Sequence, residues 1–462
     1  MTNQTSTTNE PNRIPLHIGI DDTDSTRQGC TTYIAALLTQ KLIQLGADFF
    51  DYPNLIRLNP NIPWKTRGNA ALSLRVNINQ NALRKAIEET LRIVERESDL
   101  SHPRTDPGIV FYQGKPVPQD IKTFARRTIQ DVVKKSEALK LIKHYSAEAY
   151  GFNSGRGIIG ALAAIGETLE GDHTYEFIAY RIPANIGSPR RVDDKSVLQM
   201  DVKMKGQTYN NTDPDKKRVL ITPRGKDPVL LGIRGEDPQA VKIAYSMIKV
   251  NEKIERWIVF RTNQATDAHL RKIESIKEIR PYRPVIAVGS LVQEPHMIPG
   301  RHVIFTIQDN TAKIDCAAYE PTGKFRNIIR QLSIGDQIEV YGGVRPPSIR
   351  NLITINLEKI KIISLTTKTT LINPHCRVCG GRMESMGKGQ GLRCKKCNNR
   401  EDNAKKTATQ VPRKISEGLY IPPPRAHRHL TKPFCRYGIE KTLHTSTIPR
   451  DFEGLGNPHF TT

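Results

Sequence analysis

The sequence predicts a multidomain protein in which an α/β unit is followed by an α+β unit, a β barrel and a small metal-binding module. Three observations carry that prediction. A β-rich segment at 14–20, IPLHIGI, runs straight into the acidic loop DDTDS, and helical periodicity follows from Thr31. From Val285 the pattern changes to a series of β segments. Beyond them, two Cys-x-x-Cys pairs stand fourteen residues apart. A chain of 462 residues has room for about three domains on the length prior.

Each element has its own signal. Ile34, Leu37, Leu38, Leu42 and Leu45 recur at three- and four-residue spacing, so a helix from Thr31 has one apolar face, and Gly46 offers a stop. Alternation in AALSLRVNI, residues 70–78, marks a strand, and Asn81 to Glu97 an amphipathic helix. This layering defines a first unit over 14–145. Residues 146–275 mix a Gly-rich piece, the strand-like YEFIAYRI and a helix near Ala240 to Lys249, which reads as α+β. Over 280–365 come VIAVGSLV, RHVIFTIQD, KIDCAAYE, the helical FRNIIRQL, then QIEVYGGVR and TINLEKIKII. Five strands with a helix between the third and fourth is the order of an OB barrel. The metal module occupies 372–400, and a polar, basic tail 401–462.

Composition narrows the function. Lys and Arg number 70 against 47 Asp and Glu, a formal charge of +23 that favours a polyanionic partner. Between Thr366 and Arg400 there are eight Lys or Arg and one acid, Glu384, which reads as a phosphate-facing module. The longest apolar run, Ile158 to Gly166, is far below the ~18 residues of a membrane helix. The opening MTNQTSTTNEPNR lacks the apolar stretch of a signal peptide and reads as a short disordered leader, so a cytosolic setting is expected. Cys30, Cys316 and Cys435 are far apart and odd in number, which argues against a disulfide framework.

Three motifs carry chemistry. Each Cys-x-x-Cys can fold back as a knuckle, letting Cys376, Cys379, Cys394 and Cys397 hold one zinc tetrahedrally; four thiolates leave no position for water, so this zinc would be structural. Arg377, Arg393, Lys395 and Lys396 flank it as candidate RNA contacts, although a ribbon that merely caps the barrel would look the same. Asp21, Asp22 and Asp24 fall at a strand end, and carboxylates so close repel one another unless a cation sits between them; oxygen-only ligands suit magnesium. Thr31 and Thr32 fall at a helix start, where free amides favour a phosphate, and Lys65, Arg67 and Asn69 beside Gly68 form a candidate phosphate clamp. Gly155, Gly157 and Gly160 match GxGxxG, but the preceding SAEAY does not read as a strand, so a tight turn is expected rather than a dinucleotide site.

The segments HIGIDDTDSTRQGCTTYIAALL, LIRLNPNIPWKTRGNAA and GRGIIGALAAIG, followed by the barrel and ribbon, resemble the archaeal synthetase family that makes agmatinylcytidine in an isoleucine tRNA. The likeness spans about 14 to 400. It implies a kinase-like domain, a ferredoxin-like domain, an OB fold and a zinc ribbon, in that order. It also implies condensation of agmatine with C2 of the wobble cytidine of a CAU anticodon, with ATP going to AMP and phosphate, so that AUA is read. By the same resemblance the catalytic aspartates fall at Asp21, Asp22 and Asp24, and an autophosphorylated threonine at Thr31. Agmatine is a dication, and Asp193, Asp194 and Asp201 are candidates for it by charge alone.

Two other readings compete: a non-catalytic OB and zinc-ribbon nucleic-acid-binding protein, and a phosphatase using an aspartate nucleophile in Asp22-x-Asp24-x-Thr26. A pure binder has no need of clustered carboxylates beside helix-initial threonines. The phosphatase leaves the ribbon unexplained.

Overall fold

A computed structural model describes residues 13–66, 68–348, 352–442 and 451–458. The expected leader at 1–12 and Arg67 of the phosphate clamp lie outside the described residues. The strand read at 14–20 forms as Arg13–Asp21, with Leu16, Ile18 and Ile20 fully buried. It lies inside an eleven-stranded sheet that runs through both N-terminal units. On one side of it are Gly108–Tyr112 and the edge strand Glu148–Gly151; on the other are Ala70–Asn79 and Asn54–Arg57. Asn54–Arg57 then pairs in parallel with Ile254–Thr262, Leu55 opposite Thr262, and this pairing joins the units.

In the second unit Ile254–Thr262, Thr174–Arg181, Val229–Gly235 and Thr208–Tyr209 lie side by side, the fourth, first, third and second strands in chain order. With helices Asp194–Lys203 and Pro238–Ser246 this is a ferredoxin-like arrangement. In the first unit the helix Thr31–Gln44 buries Ile34, Leu38 and Leu42, and the chain leaves it through Gly46 at φ +77°.

The nine-residue apolar run is the helix Ile158–Gly166, buried along almost its whole length under the first strand. A Cβ on Gly19 would overlap the Ala161 carbonyl, and one on Gly108 the Ile158 amide, so two glycines let helix and sheet approach. This packing carries the first unit past residue 145. SAEAY also departs from expectation: Glu148–Gly151 is a strand, because edge pairing with Gly108–Phe111 overrides the weak β propensity of Glu and Ala.

The barrel strands are Pro284–Ile298, His302–Gln308, Lys313–Ala318, Gln337–Arg345 and Thr354–Ser364. The first pairs with both the second and the fourth, which closes the barrel, and the helix Phe325–Ile329 falls between third and fourth. The ribbon is three short strands, Met383–Ser385, Leu392–Cys394 and Arg400–Glu401, carried on the pair Lys368–Ile372 and Thr407–Val411.

The tail is a strap rather than an appendage. Gly418–Tyr420 adds to the barrel strand Thr354–Ser364, and Glu453–Leu455 to Ile254–Thr262. Fully buried Arg436 pairs with Asp172 at 2.8 Å and Glu236 at 2.6 Å, and Arg425 with Asp213 at 2.9 Å. Charges this deep are tolerated only when paired. Among the described residues no helix is long and apolar enough to cross a membrane.

Candidate active site

A cavity of about 420 Å³ opens where the first strand, the loop after Arg57, the second unit and the strap meet. Asp21, Asp22, Asp24, Thr31, Thr32, Lys65 and Asn69 line it together. Glu176, Tyr209, Asn211, Arg234 and His429 line it as well, with His429 Nε2 beside Gly68.

Asp21 ends its strand in a socket made by the Gly-rich turn. A Cβ on Gly160 would overlap Asp21 Oδ2, and one on Gly157 would come within 2.6 Å of the Asp21 carbonyl, so these glycines serve close packing. Burial, reinforced by Asp22 and Asp24, pushes the Asp21 carboxyl well above the usual carboxylate range. Asp22 sits at φ +59°, a left-handed conformation that costs on the order of 1 kcal/mol in a non-glycine residue. Arg156 donates to Asp22 Oδ2 at 2.9 Å and also meets Asp106 at 3.2 Å. Burial raises the Asp22 carboxyl, and Arg156 opposes that rise.

The three aspartates share the cavity but do not pool their oxygens. Among the described residues only the four cysteines bring three or more ligand atoms within 4.8 Å of one another. Part of the compensation expected from a cation comes instead from Arg156, a residue that sequence reasoning passed over although it stands inside the glycine motif.

Thr31 opens its helix; the preceding Cys30 makes no side-chain cap, and the Thr23 hydroxyl lies 3.0 Å from that of Thr31. First-turn amides and the dipole therefore present positive potential at both threonines. Thr32 Oγ1 lies 3.1 Å from Cys30 Sγ. Lys65 has its pKa lowered by burial and by Arg428, and Asn69 donates to the Asn59 carbonyl at 2.7 Å. Gly68 has no side chain to spare: a Cβ would lie 2.8 Å from Arg57 Nη1 and 3.0 Å from His429 Nε2.

On the wall from the second unit Glu176 is buried and takes Arg234 at 3.1 Å, with Arg57 at 3.8 Å. Asn211 Oδ1 is buried and unpartnered among the described residues, while its amide donates to Asp201 at 3.0 Å. The acids expected to face agmatine are placed elsewhere. Asp193 caps the helix Asp194–Lys203 by accepting from the Ser196 amide at 2.6 Å, and Asp194 stands in its first turn. Asp201 lies behind the wall, holding Asn211 and Thr212. Charge alone does not separate a helix cap from a ligand.

In the ribbon Cys376 and Cys397 Sγ are 3.5 Å apart, and Cys379 and Cys394 Sγ 3.4 Å. A tetrahedral zinc with bonds of about 2.3 Å needs sulfurs about 3.8 Å apart, so the set fits that ion. Arg377, Arg393, Lys395 and Lys396 are exposed. Lys395 pairs with Glu384 at 2.6 Å and Arg377 reaches Glu401 at 4.0 Å, surface pairs weak enough to exchange for phosphates.

A cavity that offers amides and cations to phosphates together with carboxylate and amide oxygens belongs to a nucleotide-handling enzyme rather than a passive binding module. Known proteins agree. Residues 17–154 match the TiaS TCKD domain, 155–269 the TiaS FLD domain, 291–363 the OB-fold nucleic acid binding domain and 373–415 the TiaS C-terminal zinc ribbon domain. The isoleucine-tRNA 2-agmatinylcytidine synthetase TiaS of Pyrococcus horikoshii is 45% identical over 90% of this chain and 96% of its own. Solved structures of apo TiaS and of TiaS with its isoleucine tRNA, AMPCPP and agmatine superpose with TM-scores of 0.84 and 0.81, at 40% and 37% identity, each covering 92% of this chain and 98% of its own. The chain belongs to the TiaS family of tRNA 2-agmatinylcytidine synthetases.

Proposed function

We infer that this chain ligates agmatine to C2 of the wobble cytidine in a CAU-anticodon isoleucine tRNA, taking ATP to AMP and phosphate. The observation that carries this reading is the single cavity, whose acidic loop, helix-initial threonines and Lys65–Asn69 loop face the Glu176, Tyr209 and Asn211 wall. A cytosine carbonyl oxygen is a poor leaving group. Two phosphoryl groups leave ATP, one to O2 and one to Thr31 or water, which leaves AMP; the agmatine nitrogen then bonds to C2, the C2–O bond breaks, and phosphate departs with that oxygen while the amine gives up a proton.

Thr31 is placed to receive a phosphoryl group, with Thr32, Lys65 and Asn69 on the nucleotide side; Arg67 would complete that clamp. Asp21, Asp22 and Asp24 are the residues that would hold magnesium, Asp22 giving up Arg156 for the ion, since carboxylates suit this hard cation. Bound there, magnesium supplies neutralisation of phosphoryl charge. Glu176, Tyr209 and the unpartnered Asn211 Oδ1 face the amine or guanidinium of agmatine, and Asp201 acts by fixing Asn211. Barrel and ribbon hold the tRNA, with Arg377, Arg393, Lys395 and Lys396 on its phosphates. The setting is cytosolic, where the cysteines stay reduced.

Mass spectrometry of a CAU-anticodon isoleucine tRNA transcript, after incubation with the protein, magnesium, ATP and agmatine, tests the reading. The expected product is a wobble cytidine heavier by agmatine less water. An unchanged cytidine with ATP still cleaved contradicts it.

A further inference from the structure

The strap returns to the catalytic cavity and brings one side chain into its wall. The Ala265 amide donates to the His429 carbonyl at 2.8 Å and the Asp267 amide to the Leu430 carbonyl at 2.8 Å, so the strap is fixed at the histidine and at the residue after it. The ring is half-buried and lines the cavity. Its Nδ1 lies 3.1 Å from Arg234 Nη2 and 3.3 Å from Gln264 Oε1. A guanidinium can only donate, so Nδ1 accepts at the shorter contact and the proton of the neutral ring sits on Nε2.

Nε2 faces the phosphate-clamp loop, within 3.0 Å of where a Gly68 Cβ would stand, and has no hydrogen-bond partner among the described residues. Arg57 flanks the same spot, and its buried Nε is also unpartnered among them. Burial, then Arg57, Arg234 and Lys65, hold the His429 pKa well below the usual histidine range, which marks the positive potential converging there. An unpartnered imidazole donor beside Arg57 Nη1, with Arg234 and Lys65 acting on the same ring, calls for an anionic oxygen.

We propose that His429, delivered by the C-terminal strap, is a binding residue for the phosphoryl oxygens handled in this cavity, donating from Nε2 alongside Arg57. The catalytic site is then incomplete without the tail. This rests on the synthetase reading above. Phosphoryl oxygens could come from ATP or from the activated cytidine, and the test separates the two.

The full-length, zinc-loaded protein is compared with His429→Ala and His429→Gln, the glutamine amide being able to replace the Nε2 donor. Readouts are AMPCPP affinity by calorimetry, single-turnover modification of the tRNA transcript, and thermal melting. His429→Ala is expected to slow modification about 10- to 100-fold, the worth of a hydrogen bond to a charged group, with melting unchanged. His429→Gln should recover most of the rate. Weaker AMPCPP binding by His429→Ala assigns the donor to ATP; intact AMPCPP binding with accumulation of phosphorylated tRNA assigns it to the cytidine. Full activity in His429→Ala, or equal loss in both variants with lowered melting, overturns the proposal. A wild-type chain that makes no agmatinylcytidine contradicts the synthetase reading instead, and AMPCPP affinity still reads on His429.

Discussion

Two residues at the acidic end have separable roles. Thr31 is the first residue of its helix and does not cap it, so Thr31→Ala gives up only the hydroxyl contact with Thr23, about 0.5–1.5 kcal/mol. Modification should nevertheless fall below detection while melting barely moves, and Thr31→Ser should retain activity; an active alanine variant would remove Thr31 from the chemistry. Gly160 acts on its neighbour. Gly160→Ala drives a Cβ into Asp21 Oδ2, an overpacking cost of about 1–3 kcal/mol, and the displaced carboxyl should reduce ATP-dependent modification far more than tRNA affinity, read by filter binding.

At the scale of elements, the ribbon and the strap stand on different physics. The ribbon's buried cluster is only Cys376, Met383, Leu392 and Cys394, too small to fold without metal. Chelation should therefore unfold it and weaken tRNA binding by more than AMPCPP binding; equal losses would mean that ribbon and cavity are coupled. The strap is anchored partly by Glu358 of the barrel, which meets His269 at 3.0 Å, Arg428 at 3.1 Å and the Thr431 hydroxyl at 2.9 Å. Burial alone would raise the Glu358 carboxyl, but His269, Arg428 and Thr431 outweigh it and hold it at about 2. Its unfolded value is about 4.3, so the stabilisation is present above that pH and is lost as pH falls toward about 2. Melting curves from pH 7 to pH 3 should show Glu358→Gln less stable at pH 7 but with a shallower acid decline than the wild type. Elements of this kind differ in how legible they are. The helix Thr31–Gln44, the barrel order and the cysteine ligand set follow from local periodicity and spacing. The strap does not, because its arginines find their acids 200 or more residues away in Asp172, Asp213 and Glu236, and a local reading assigns such cations to phosphates.

Across the whole molecule, the parallel pairing of Asn54–Arg57 with Ile254–Thr262 turns two units into one sheet and so creates the cavity between them. Asp21, Thr31 and Lys65 could be read as site residues because their motifs are contiguous. Glu176, Asn211, Arg234 and His429 come from separate elements brought together only by that sheet and the strap, which is why charge pointed to Asp193 and Asp194 instead. The central step proposed for this cavity is phosphoryl transfer to cytidine O2 before attack by agmatine. The direct measurement is modification of a tRNA carrying ¹⁸O at O2 of the wobble cytidine, followed by mass spectrometry of the released products. With O2 phosphorylated first, ¹⁸O is expected in inorganic phosphate. Finding it in AMP or in water would contradict that order.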